Sequence, residues 1–191
     1  MKDFYRENHR EYFERTFNID PSTFLSHLTA RLSPGAYILD VGCGSGRDLL
    51  WLKNRGFSVM GFERSPELAE LARKSAGCEV LEGDFTSYDF SSIRADAVII
   101  IGALVHIPQA GFAAVLRNIA AALKENGMML ITAKEGTSAA EGADGRVFYL
   151  FRNEELEIIF TLLGFRIHDF SRDLSKTGTG ETWLRYLLQK E

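Results

Sequence analysis

Residues 38–46, Ile-Leu-Asp-Val-Gly-Cys-Gly-Ser-Gly, constrain this chain more than any other stretch. Ile38, Leu39 and Val41 form an apolar run that predicts a short buried strand, with Pro34-Gly35 as punctuation upstream. Gly42, Gly44 and Gly46 let the backbone turn sharply where a side chain would clash. Residues 47–53 then carry their apolar side chains on one helical face, and Gly56 ends the run. Strand, glycine turn and helix in succession leave room for a ligand against the main chain, so a nucleotide-like cofactor is expected.

The spacing separates two kinds of cofactor. A dinucleotide fingerprint requires a third glycine where this chain has Arg47. Asp40, just ahead of the turn, would repel a pyrophosphate, yet it could pair with or orient a cationic ligand. The turn therefore favours a positively charged cofactor.

Asp40-Val-Gly-Cys-Gly-Ser-Gly46 resembles the first motif of the class I S-adenosylmethionine-dependent methyltransferases, and Gly-Ser-Gly-Arg-Asp resembles small bacterial members such as the tellurite-resistance and thiopurine-type enzymes. The resemblance implies an α/β fold: a doubly wound, mostly parallel seven-stranded sheet with an antiparallel last strand, Rossmann-like in outline. It also implies S-adenosyl-L-methionine as cofactor, S-adenosyl-L-homocysteine as product, and no metal. Cofactor contacts are implied for Asp40, Gly42, Cys43, Gly44, Gly46 and Arg47. Arg47 could meet the cofactor carboxylate through its planar fork, the alternative being a surface ion pair with Asp48.

The companion motifs extend the resemblance over nearly the whole chain. Residues 57–62 read as a second strand ending at Glu63-Arg64, about 20 residues past the turn, where an acidic side chain can accept both hydroxyls of a ribose. Ser65-Pro66-Glu67 starts a helix to Ala76. Residues 78–81 read as a third strand before Asp84 and Phe85, which the resemblance assigns to the adenine amino group and ring. Ala95 to Ile101 has no polar alternation and predicts a fully buried strand in the middle of a parallel sheet. Gly102 and Ala103 at its carboxyl end would offer backbone groups to the methionine part of the cofactor. His106 follows, either as a general base toward a substrate proton or as a histidine packed beside the loop.

Residues 3–17 predict an amphipathic helix with Phe4, Tyr5, Tyr12, Phe13 and Phe17 on its aromatic face. The resemblance makes it a lid in which Tyr5, with Asn8 or Tyr12, reaches the cofactor, so Tyr5 and His106 are the catalytic candidates. A second helix from Asp20-Pro21-Ser22 to about Ala30 completes an N-terminal cap over 1–31. Residues 109–124 predict a helix closed by Glu125-Asn126-Gly127, and 128–132 a fifth strand. Residues 133–146 lack periodicity and read as a loop, which together with Phe148 and Tyr149 makes 133–149 an acceptor-side segment. Tyr12, His106, Arg146 and Tyr149 are its substrate candidates. A helix over 153–164, a strand over 165–170, a turn at 177–182 and a last strand over 183–188 fit an antiparallel ending.

Composition narrows the function. With 191 residues, 46% of them hydrophobic, residues 1–191 are expected to form a single methyltransferase domain, monomeric or homodimeric. A net charge of −4 gives no basic footprint, so a small-molecule acceptor is expected and nucleic acid is disfavoured. No apolar run approaches a membrane span, and the first residues lack a signal peptide's apolar stretch, so a cytoplasmic location is expected. Cys43 and Cys78 have no metal-ligand spacing. Methyl transfer from a sulfonium needs alignment and exclusion of water rather than a strong acid or nucleophile, which agrees with the lack of a Ser/His/Asp, Cys/His or metal constellation. The competing readings are a non-catalytic S-adenosylmethionine-binding regulatory protein, a nicotinamide-dependent oxidoreductase, and a nucleic-acid or protein methyltransferase.

Overall fold

Alternate residues of the central strands feed two different hydrophobic layers. Leu39, Val41, Val98, Ile100, Met129 and Ile131 join one cluster, while Ile38, Ala97, Ile99, Met128 and Leu130 join the other. A strand buried on both faces has no polar alternation, which is why these segments are continuous apolar runs. The computed structural model describes residues 4–142, 144–176 and 180–191.

The chain opens with α1 (Phe4–Glu7), α2 (His9–Thr16) and α3 (Ser22–Thr29). There follow β1 (Tyr37–Val41), α4 (Arg47–Lys53), β2 (Ser58–Glu63), α5 (Pro66–Ala76), β3 (Glu79–Glu82) and β4 (Ala95–Ile100). The second half runs α6 (Gln109–Ala120), β5 (Leu123–Glu135), β6 (Ala139–Glu141), β7 (Val147–Phe151), α7 (Asn153–Leu162), β8 (Phe165–Leu174) and β9 (Thr182–Lys190). The parallel strands lie in the order β3-β2-β1-β4-β5, and β9 then pairs antiparallel with β5 and with β8. Those seven strands are the sheet expected from the sequence. Phe112 and Leu116 of α6 and Leu156 and Phe160 of α7 cover one face, and Leu25 and Leu28 of α3 with Leu52 of α4 cover the other. Local signals agree with this layout: Ser65 caps α5 by accepting from the Leu68 N–H, Pro66 begins the helix, and Gly77 ends it at φ +60°.

Four expectations need correction. The helix over 3–17 is broken at Asn8, whose amide side chain donates to the Phe4 carbonyl and competes with helix continuation. The helix over 109–124 stops at Ala120, and Leu123, though buried, is the first residue of β5, opposite Ala95. Asn126, at φ +61°, and Gly127 accompany a register shift inside that strand rather than closing the helix. The loop over 133–146 is interrupted by strand: β5 continues to Glu135, and Ala139–Glu141 form β6, which pairs antiparallel with β7 from Ala139–Tyr149 to Glu141–Val147. β6 is three exposed residues, two of them alanine, too short to show a period of two. The sheet thus has nine strands among the described residues, with β7 running parallel beside the end of β5 at Lys134 and Glu135. Residues 177–179 of the expected turn lie outside the described residues.

Candidate functional site

A cavity of about 680 Å³ opens along the glycine turn and the ends of β4, β5 and β9. Gly42 has φ +77°, and a Cβ there would stand 2.5 Å from that of Ala103. At Gly44, φ +53°, a Cβ would lie 3.3 Å from the Tyr12 ring. The turn is therefore clamped between the loop after β4 and the N-terminal cap, and only glycine fits. Its N–H groups are engaged inside the protein: Gly42 and Cys43 donate to the Phe62 carbonyl, Gly46 to that of Cys43, and Gly44 to the Glu63 carboxylate. Such a turn contributes bare backbone surface and few donors for a phosphate.

Two buried carboxylates lie beside it. Glu63 accepts from the N–H groups of Gly44, Arg64 and Ser65, each at 2.9 Å, and so ties the turn to the start of α5. Burial pushes its carboxyl up, against the pull of those backbone donors. Asp40 is 2% exposed, and its Oδ2 has no hydrogen-bond partner. Burial, and then the nearby Asp48 charge, push Asp40 well above the usual carboxylate range. Arg47 pairs with Asp48 through a fork, Nε to Oδ1 at 2.7 Å and Nη2 to Oδ2 at 2.9 Å. The partner is the one expected for a surface pair, but the fork is mostly buried.

Tyr5, His106 and Arg146 converge from three distant parts of the chain. The Val147 carbonyl can only accept, so His106 Nδ1 carries the imidazole proton and donates to it at 2.8 Å. Nε2 then accepts from the Tyr5 hydroxyl at 2.8 Å, and Arg146 Nη1 donates to the same hydroxyl at 3.0 Å. Burial raises the Tyr5 phenol and lowers the His106 imidazole, so both are neutral at pH 7. Arg146 also lies 4.2 Å from the Phe4 ring centroid and pairs with Asp144 at 2.7 Å. Tyr5, Tyr12 and Arg146 line the cavity, whereas His106 stands behind Tyr5 and Tyr149 packs against the core. Among the described residues, no group of three or more His, Cys, Asp or Glu is gathered as a metal site.

Residues 38–127 match the family model described as a methyltransferase domain. Over those residues, just under half of its length, the chain carries a methyltransferase domain, and it resembles the class I S-adenosylmethionine-dependent methyltransferases. It is 29% identical over 168 residues to a protein named ubiquinone biosynthesis O-methyltransferase from Xanthomonas axonopodis pv. citri (strain 306), a match covering 84% of this chain. That match covers 66% of the relative, so the chain spans just under two thirds of its length. Magnesium protoporphyrin IX methyltransferase from Synechocystis PCC 6803, solved with bound S-adenosylhomocysteine, has the same fold at TM-score 0.79 and 15% identity, covering 100% of this chain and 98% of the other. A TehB-like methyltransferase from Corynebacterium glutamicum ATCC 13032 aligns at TM-score 0.72 and 21% identity, with 98% of each chain covered.

Within this fold, the residues expected at the cofactor divide into two groups. Gly42, Cys43, Gly44, Arg47 and Gly102 line the cavity. Asp40, Gly46, Glu63, Arg64, Asp84, Phe85 and Ala103 are not on its wall, Asp40 lying buried beside the turn. α1 and α2 pack on α5, and Arg6 pairs with Glu67 at 3.0 Å, so the cap lies across the helix that follows Glu63. Asp84 Oδ1 accepts from the Thr86 N–H and hydroxyl and shapes its own turn. Sequence reasoning missed Lys134, Trp183 and Arg185, which line the opposite wall. Their signal was a charge set within apolar strand sequence, Lys134 just after the buried run 128–133 and Arg185 between Leu184 and Tyr186.

Proposed function

We propose that this chain transfers the methyl group of S-adenosylmethionine to a small-molecule acceptor on the β5–β9 side of the cavity. The observation that carries this reading is the orphaned Oδ2 of buried Asp40 beside a glycine turn whose own donors are engaged. A buried carboxylate without a partner suits a cationic ligand and opposes a pyrophosphate. The methyltransferase-domain match over residues 38–127 and the names of the relatives support the same direction.

Asp40 would hold the cationic amino-acid part of the cofactor, and Gly42, Cys43, Gly44, Gly46 and Gly102 would let it lie against the main chain. Glu63 Oε2 takes one backbone bond, and so keeps a lone pair for a ribose hydroxyl. Asp84 and Phe85 are assigned to adenine, with Arg64 and Ala103 beside the cofactor; Arg47 would meet its carboxylate only by sharing its fork with Asp48. The cofactor, when bound there, would supply a methyl group on a positively charged sulfur that can leave as a neutral thioether. Tyr5 and Tyr12 exclude water from the turn, and the neutral phenol of Tyr5 keeps its proton, directed at His106 Nε2. His106 acts by holding Tyr5, and residues 1–31 serve as the cap.

Isothermal titration with S-adenosylmethionine, S-adenosylhomocysteine and NADH tests the reading. Micromolar binding of both adenosyl ligands, without NADH binding, is the expected result. A folded protein that binds neither would remove it.

A further inference from the structure

We propose that the acceptor is a small planar anion, its negative group held by Lys134 and Arg185 and its ring by Trp183 and Phe148. The word acceptor rests on the methyl-transfer reading; the anion site itself does not. In the antiparallel ladder Thr132 stands opposite Arg185, and Lys134 opposite Trp183. Opposed residues share a face of the sheet, so these four form one patch, and all four line the cavity.

The decisive feature is an asymmetry of burial. Lys134 and Arg185 are each 5% exposed. Their counter-ions are wet: Glu181, 2.6 Å from Lys134, has a side chain 39% exposed, and Asp169 and Asp173, 3.1 and 3.4 Å from Arg185, are 32% and 55% exposed. A buried cation cannot do without a negative partner, whereas an exposed carboxylate loses little when released to water. An entering anion can thus take over these partners at small cost. Cations outnumber carboxylates six to four among the described lining residues, in a chain of net charge −4.

The rings set the shape of the ligand. Lys134 Nζ lies 3.6 Å from the Phe148 ring centroid and 5.5 Å from that of Trp183. Trp183 in turn reaches the turn after β4, 3.6 Å from where a Gly102 Cβ would stand. A flat group carrying a carboxylate or an ionised hydroxyl would lie between aromatic surfaces, its charge on the ammonium and its body toward the glycine turn.

The test compares 2-naphthoate with its neutral isostere 2-naphthamide, by titration of the whole protein at fixed ionic strength, both free and saturated with S-adenosylhomocysteine. Naphthoate should bind about tenfold more tightly or better in both states, the discrimination expected from charge-assisted hydrogen bonds. Lys134→Met should erase the preference without changing S-adenosylhomocysteine affinity, and Lys134→Arg should retain part of it. Equal affinity for the two naphthyl ligands, or a preference that survives in Lys134→Met, would overturn the proposal. The wild-type comparison decides the matter even if a variant fails to fold. Naphthoate preference in a protein that ignores S-adenosylhomocysteine would uphold the anion site and remove the methyltransferase reading; the converse result would remove the anion site alone.

Discussion

Replacing Asp40 with asparagine should move stability and affinity in opposite directions. In the ligand-free protein the folded-state pKa of Asp40 is raised, chiefly by burial, so the folded chain holds that proton more tightly than the unfolded chain. Its stabilising effect is full below the ordinary carboxylate value of about 3.9 and is lost as pH rises through the raised value. Above that point a charged, unpartnered carboxylate sits buried near Asp48 and Glu63. Leaving such a group unsatisfied costs about 1–3 kcal/mol, and an asparagine side chain keeps the shape without the charge. At pH 8 the variant should therefore melt roughly 3–9 °C higher than wild type, a difference that shrinks toward pH 4. Glu63, also raised by burial, is common to both proteins and cancels in the comparison. Binding should suffer, because a hydrogen bond to a charged group is worth about 1.5–3 kcal/mol, or roughly 10–150-fold in affinity. Scanning fluorimetry across pH and titration with S-adenosylmethionine measure the two effects. An asparagine variant that is less stable at pH 8, or that binds the cofactor as tightly as wild type, would refute the reasoning.

Gly42→Ala should lower stability by about 1–3 kcal/mol and weaken cofactor binding, since its Cβ meets Ala103 at 2.5 Å with φ at +77°; an unchanged melting temperature would contradict the clamp. Tyr5→Phe removes the hydroxyl shared by His106 and Arg146, and should speed amide exchange in α1 and α2 about fivefold, for a loss near 1 kcal/mol, while β4 and β5 stay protected. The pKa of His106 is depressed, so the unfolded chain takes up this proton first, and the stability from the Tyr5 contact should fall as pH drops below about 6.5 toward the lowered value. His106→Phe should flatten that part of the pH profile. Glu63→Gln keeps one acceptor oxygen but sets an NH2 against at least one of the three backbone donors, and should cost about 1–3 kcal/mol in denaturant titration, as well as affinity for S-adenosylmethionine.

What could be read from the sequence was local. The turn at 42–46 and the strands around it follow from short-range sterics and from burial on both faces, so Ile38 to Val41 and Ala95 to Ile100 were legible as they stand. The path of 123–135 was not, because Asn126-Gly127 signals a turn equally well at a helix end and at a bulge, and only pairing with β4 decides between them. The hairpin at 139–151 was hidden by its small residues and its two-sided exposure. Single candidates such as Asp40 and Glu63 could be proposed from their distance from the turn, and the structure places both buried beside it. Lys134, Trp183 and Arg185 acquire meaning only through the β5–β9 register, a pairing between residues about 50 positions apart that no local pattern encodes.

The Tyr5 hydroxyl joins the first helix of the chain to the hairpin by accepting from Arg146, and to the loop after β4 by donating to His106, which donates in turn to the Val147 carbonyl. Opening either wall of the cavity would strain or break the contact with the other, so the bonds couple the two walls. A ligand that draws the cap down over the glycine turn also steadies the hairpin beside the acceptor wall, and by linkage an occupant of that wall slows the departure of whatever lies beneath the cap.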